Sequence, residues 1–199
     1  TLEVSTDPYF SRFATFGEAA ALPGDQPEIS RFRAIGLVSS TRYYYRIRAG
    51  AVRDERHRGS FTTMPLEGKP ASFRFAFSAG AITGSKHSVF AEIKSADPLF
   101  YIAAGNLHDA VPGATSRAQY RAAYEQVLAS LTQGDLYLNV PIVYTWDAYD
   151  YGPATGTVPA RAAAHAAFRE YVPYHALADS ASPDAPINRA FTVGRVRFL

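Results

Sequence analysis

The chain has 199 residues, 47% hydrophobic and 14% aromatic, enough for one large domain or two small ones with real cores. Its 20 Lys and Arg against 18 Asp and Glu leave a formal charge of +2, which argues against a nucleic-acid scaffold held by phosphate neutralisation. It has no cysteine, which excludes disulfides, thiolate nucleophiles and Cys-type zinc sites, and no apolar run approaches the ~20 residues that a membrane span needs.

Residues 1–63 alternate polar and apolar residues and carry no helical stripe. "TLEVST", "RFATFG", "EISRFRAIGL", "TRYYYRIRAGAV" and "RGSFTT" read as short antiparallel strands separated by turn residues. In "TRYYYRIRAG" the order puts Tyr43, Tyr45 and Ile47 on one face, expected to be core, and Arg42, Tyr44, Arg46 and Arg48 on a solvated one. The spacing of Leu37, Thr41 and Tyr43 is similar to the tyrosine corner of β-sandwiches. Five strands are countable where a sandwich has about seven, so one or two are expected to precede Thr1.

"MPLEGKPAS" (64–72) breaks the alternation with two prolines and a glycine, and the domain boundary is placed there. Beyond it, strand-like and helix-like segments take turns. "FRFAFSAG" precedes a helix near 88–96, "LFYIAAG" a helix over 116–133, and "VPIVYTW" a helix near 159–171, before "INRAFTVGRVRFL". Such alternation predicts βαβ units and a largely parallel sheet. The helix over 116–133 carries Tyr120, Tyr124, Val127, Leu128 and Leu131 on one stripe and opens with a capping box over Ser116–Gln119.

Ligands of parallel α/β sheets bind beyond the carboxyl ends of the strands. Three loops qualify: "SAGAITG" (78–84), "GNLHDA" (105–110) and "WDAYDYG" (146–152). Asn106, His108, Asp109, Asp147 and Asp150 form an oxygen- and imidazole-rich set suited to hard or borderline cations. The competing reading is that Asn, Asp and Gly here only make turns.

"TRYYYRIRAG", "TGSKHSVFAEI", "ADPLFYIAAGNLH", "NVPIVYTWDAYDYGP" and "FTVGRVRF" together resemble the alkaline phosphatase D (PhoD-like) metallophosphatase family, along nearly the whole chain. The resemblance implies a fibronectin-like β-sandwich over 1–66, then the first half of an α/β metallophosphoesterase domain over 73–199, truncated at both ends. It also implies hydrolysis of small phosphate esters by a metal pair, calcium or iron among the candidates, and an extracytoplasmic or secreted location that the sequence itself leaves undecided.

The departures from the family fall on functional positions. Where the family has Gly-Ser-Cys, with a Cys ligand, this chain has Ser78-Ala79-Gly80; where it has Gly-Asp-Leu-His-Tyr, with the Asp bridging both metals, this chain has Gly105-Asn106-Leu107-His108-Asp109. Where it has Trp-Asp-Asp-His-Asp, this chain has Trp146-Asp147-Ala148-Tyr149-Asp150, losing a carboxylate and the histidine that would assist the leaving group. Only His108, Asp147 and Asp150 keep family residue types, and further ligands come in the family from strands after "FTVGRVRF". The first expectation is therefore a phosphatase homologue with an impaired or dead site. The second is a live phosphoesterase in which Asp109 stands in for the lost aspartate, and the third a noncatalytic binding module.

Other motifs carry less. Gly80 to Lys86 lacks the Gly-Lys-Ser/Thr order of a phosphate loop, no nucleophile elbow is present, and His165 and His175 read as packing or surface residues.

Overall fold

A computed structural model describes residues 1–19, 29–108, 114–151, 158–172 and 186–199. The N-terminal strands β1 (Leu2–Ser5), β2 (Ala14–Phe16), β3 (Arg42–Ala49), β4 (Val52–Arg53) and β5 (Gly59–Thr62) form one antiparallel sheet. It runs β2-β1-β3-β4, with β5 also paired to β3. Of the expected strand in "EISRFRAIGL", only an isolated bridge between Glu18 and Phe32 is found among the described residues.

Tyr43 is buried and stacks on its cross-strand partner Phe61, with ring centroids 5.7 Å apart. Its hydroxyl accepts the Val38 N–H at 3.0 Å, tying the strand back to the chain that enters it. The opposite face is not the solvated surface expected from the alternation. Arg46 is only 6% exposed, because it lies opposite the buried Glu3 and bonds it at 2.7 Å while covering the Phe10 ring at 4.2 Å. Burial alone would raise the Glu3 carboxyl, but hydrogen bonds and charge from Arg46 and Arg53 outweigh it and hold the group below its usual range.

In the second half, β6 (Phe75–Ser78), β7 (Phe100–Ala104) and β8 (Ile142–Thr145) pair in parallel in the order β6-β7-β8. The helices are α1 (Val89–Ser95), α2 (Arg117–Leu128), α3 (Gln133–Asn139), α4 (Ala148–Tyr151) and α5 (Val158–Tyr171). The core holds Tyr101, Ala103 and Tyr144 from one sheet face with Tyr120, Tyr124, Val127, Leu136 and Phe168 from the helices. Glu170 of α5, also buried, receives Arg121 at 2.6 and 2.7 Å and pairs with Arg117, clamping α5 to α2.

The capping box forms, with the Ser116 side chain accepting from the Gln119 N–H. The helix expected to run to 133 ends instead at Leu128, and a separate helix α3 follows. Ser130 is the local cause: its hydroxyl donates back to the Val127 carbonyl at 2.7 Å and accepts the Gly134 N–H at 2.9 Å, a bonding pattern that competes with helix continuation. A Cβ on Gly134 would sit 2.3 Å from the Leu128 carbonyl oxygen, so the corner needs glycine there. Leu131, expected on the buried stripe, is consequently 81% exposed.

"INRAFTVGRVRFL" folds as an antiparallel hairpin of β9 (Phe191–Val193) and β10 (Val196–Phe198). Phe191 and Phe198 close over Phe100 on the sheet face away from the helices, with centroids 5.7 and 5.3 Å away, while Phe77 of the same face is 71% exposed. The hairpin turn also holds the 64–72 segment, through Gly68 N–H to Gly194 O at 2.7 Å. The N-terminal sheet meets α3 where the Tyr45 hydroxyl donates to the Leu138 carbonyl at 2.8 Å. No helix among the described residues is long and apolar enough to cross a membrane.

Candidate functional site

Parallel pairing brings the three chain segments that leave β6, β7 and β8 to one edge. Gly80 N–H donates to Gly105 O at 3.2 Å and Ala81 N–H to Asn106 O at 3.1 Å, which fixes the first loop against the second. The third approaches as closely. Gly105 has φ +88°, and a Cβ there would lie 2.7 Å from the Asp147 Cβ, so glycine is required by both conformation and space.

Asn106 follows in the left-handed region at φ +51°, which Asn tolerates better than most residues. Its Oδ1 is buried and has no hydrogen-bond partner among the described residues, and a Cβ built on Gly80 would stand 4.0 Å from its Nδ2. Positions 80 and 106 therefore lie side by side, and they carry no side chain and a neutral amide.

Asp147 and Asp150 are turned largely to the backbone. The Asp147 Oδ1 accepts the N–H of Tyr149 at 2.8 Å and of Asp150 at 3.4 Å, closing the single turn of α4. Asp150, 1% exposed, accepts the His108 N–H on Oδ1 at 3.1 Å and the Asp147 N–H on Oδ2 at 3.2 Å, pinning the second loop to the third. Burial is the main influence on its carboxyl and pushes it up to about 6, against the lowering effect of those two N–H groups.

His108 is fully buried, with its ring edge-on to Tyr124 at 4.5 Å and its Nδ1 3.8 Å from Asp150 Oδ1. Tyr149 is 61% exposed. Of the expected set, the fold brings Asn106, His108, Asp147 and Asp150 to one edge. Asp109 and His175 lie outside the described residues. His165 is packed in the interior, its ring 5.8 Å from that of Trp146.

Sequence reasoning missed Gln133. Fully buried, it accepts the Ser85 N–H at 3.1 Å and donates to Leu107 O at 3.3 Å, so it spans the first two loops from below. No spacing pattern marks such a residue; it reads as one more polar helix position.

Among the described residues, no three His, Asp or Glu side chains are grouped to hold a metal ion. Two dications ~4 Å apart repel by about 16 kcal/mol at an effective dielectric near 20, four times a unit pair, so a bridging anion is needed between them. Asn106 has no such charge, and the two aspartates spend three of their four oxygens on backbone N–H groups. These residues do not fit a metal pair.

Among solved structures, the chain is similar to one described as "Structure of PhoD", with a TM-score of 0.75 and 19% sequence identity. The match covers 97% of this chain and 42% of that one, so the chain has a PhoD-like fold and spans less than half of that protein's length. No family model and no curated protein sequence matches it.

Proposed function

We propose that this chain is a homologue of PhoD-like phosphoesterases whose strand-end site is impaired for hydrolysis. Residues 1–66 are read as its fibronectin-like part and 73–199 as its phosphoesterase part. The observation that supports the reading is that Gly80 and Asn106, where the resemblance places anionic ligands, lie side by side without charge, while Asp150 holds two backbone N–H groups together. Phosphoester cleavage by a metal pair needs charge between the metals and a proton donor for the leaving oxygen. Asn106 and Tyr149 stand where the resemblance places those two roles.

The test is metal content by mass spectrometry after purification with iron and calcium, followed by turnover of p-nitrophenyl and bis-p-nitrophenyl phosphate at pH 7 to 9. The expected result is no metal pair and no turnover above metal in buffer. Asn106→Asp restores a carboxylate without an acid, and Tyr149→His an acid without a metal, so each alone is expected to fail. Two metals per chain with turnover would overturn the reading in favour of a live phosphoesterase that recruits Asp109.

A further inference from the structure

A cleft of about 480 Å³ lies between the N-terminal sheet and the corner that joins α2 to α3, a volume typical of small-molecule sites. No residue of the three strand-end loops lines it. Its apolar surface includes Tyr45, Tyr137, Leu128, Leu131 and Leu138, and Leu128 and Leu131 are 48% and 81% exposed. Arg56 and His57 supply the polar end.

The other polar groups along the cleft already have partners. The Tyr45 hydroxyl donates to Leu138 O at 2.8 Å, and the Tyr137 hydroxyl accepts from Gln133 Nε2 at 3.1 Å. Ser130 is bonded within its own corner, and Asp135 pairs with Lys94 while accepting from Asn139 Nδ2 at 3.0 Å. Asp54 accepts the backbone N–H of Arg56 and of His57 at 3.0 and 3.1 Å and holds His57 Nδ1 at 2.7 Å, which sets the short loop and the imidazole in place. What remains as a donor is the Arg56 guanidinium, which makes no ion pair among the described residues.

A cation without a counter-charge beside exposed leucines in a concave site selects an anion on an apolar body. One cation is too few for a polyanion or an acidic membrane surface, each of which needs a cluster. We propose that this cleft binds a small amphiphilic anion, its oxyanion head on Arg56 and its alkyl or aryl body over Leu128 and Leu131.

Titration calorimetry of the whole chain with octanoate and with octyl phosphate, below their micelle concentrations, tests this and shows which head is preferred. One-to-one binding of either is expected, with octanol and inorganic phosphate at least tenfold weaker, because each lacks one half of the match. Arg56→Ala is expected to weaken binding by about tenfold or more through loss of a charge-assisted contact. Leu131→Ala is expected to weaken it roughly threefold by removing apolar area. Both residues are exposed, so thermal melts should match those of the parent, and Arg197→Ala, an exposed arginine on β10, should bind normally. The proposal is overturned if neither amphiphile binds at millimolar concentration, if octanol binds as tightly, or if Arg56→Ala and Leu131→Ala both leave affinity unchanged.

Discussion

Replacing Asp150 by asparagine should produce a stability change whose size depends on pH. In the folded chain this carboxyl is pushed from 3.8 up to about 6, chiefly by burial. The sign follows from linkage. A raised acid pKa means that the folded state disfavours the charged form, so the group destabilises the protein once it ionises. That penalty is absent below pH ~3.8, grows between ~3.8 and ~6, and is complete above it, where about two pKa units amount to about 3 kcal/mol. At pH 4.5 the same linkage gives only ~1 kcal/mol.

Asparagine carries no charge, so it escapes the penalty, but its amide offers one acceptor oxygen where Asp150 serves both His108 N–H and Asp147 N–H. The N–H left without its partner costs about 1 to 3 kcal/mol at any pH. The variant should therefore lie between equal to the parent and about 2 kcal/mol less stable at pH 4.5, and between equal and about 2 kcal/mol more stable at pH 7.5. The difference between the two should move by about 2 kcal/mol in the variant's favour as pH rises. Urea unfolding at both pH values, in EDTA so that no cation competes, measures it directly. A difference constant to within ~0.5 kcal/mol would show that this carboxylate is not desolvated, and a variant already more stable than the parent by the full ~1 kcal/mol at pH 4.5 would show that it does not clamp the two loops.

Tyr43→Ala should cost about 3 to 5 kcal/mol in denaturant melts, since the ring is buried on Phe61 and its hydroxyl bonds the Val38 N–H, whereas Tyr44→Ala, at a partly exposed position, should cost much less. Equal losses would break the assignment of β3's faces. Phe77 is 71% exposed on the open face of edge strand β6, so Phe77→Lys should change unfolding free energy by less than ~0.5 kcal/mol while reducing concentration-dependent association in sedimentation runs. Equal behaviour of parent and variant in those runs would show that this face does not drive self-association.

Much of this was legible in the sequence, and the particular residues show why the rest was not. The Ser116–Gln119 capping box and the β-helix alternation depend on nearest-neighbour chemistry and periodicity, and both formed. Arg46 was misread because alternation assigns a side chain to a face without saying what covers it; Glu3, forty-three residues away, and Phe10 cover it here. Leu131 was misread because its 3.6-residue spacing runs on past a helix end that Ser130 and Gly134 impose. At the strand ends Asn106, His108, Asp147 and Asp150 do meet at one edge, yet residue type could not say whether a carboxylate points to a vacant centre or to an N–H.

That distinction gives the proposed reading its physical sense. A cage of carboxylates built for dications repels itself when the cations leave, so a chain that gives up its metals must also shed or reassign the charge. On this reading Gly80, Asn106 and Ala148 shed it, and two of them also suit the local backbone: Gly80 has φ +74° and Asn106 φ +51°, where a cysteine at 80 would be strained. Asp147 and Asp150 reassign theirs to N–H groups of α4 and of the second loop. Among the described residues of this edge, Asp147 and Asp150 are thus both partnered within the chain, and backbone hydrogen bonds rather than a cation tie the second and third loops together.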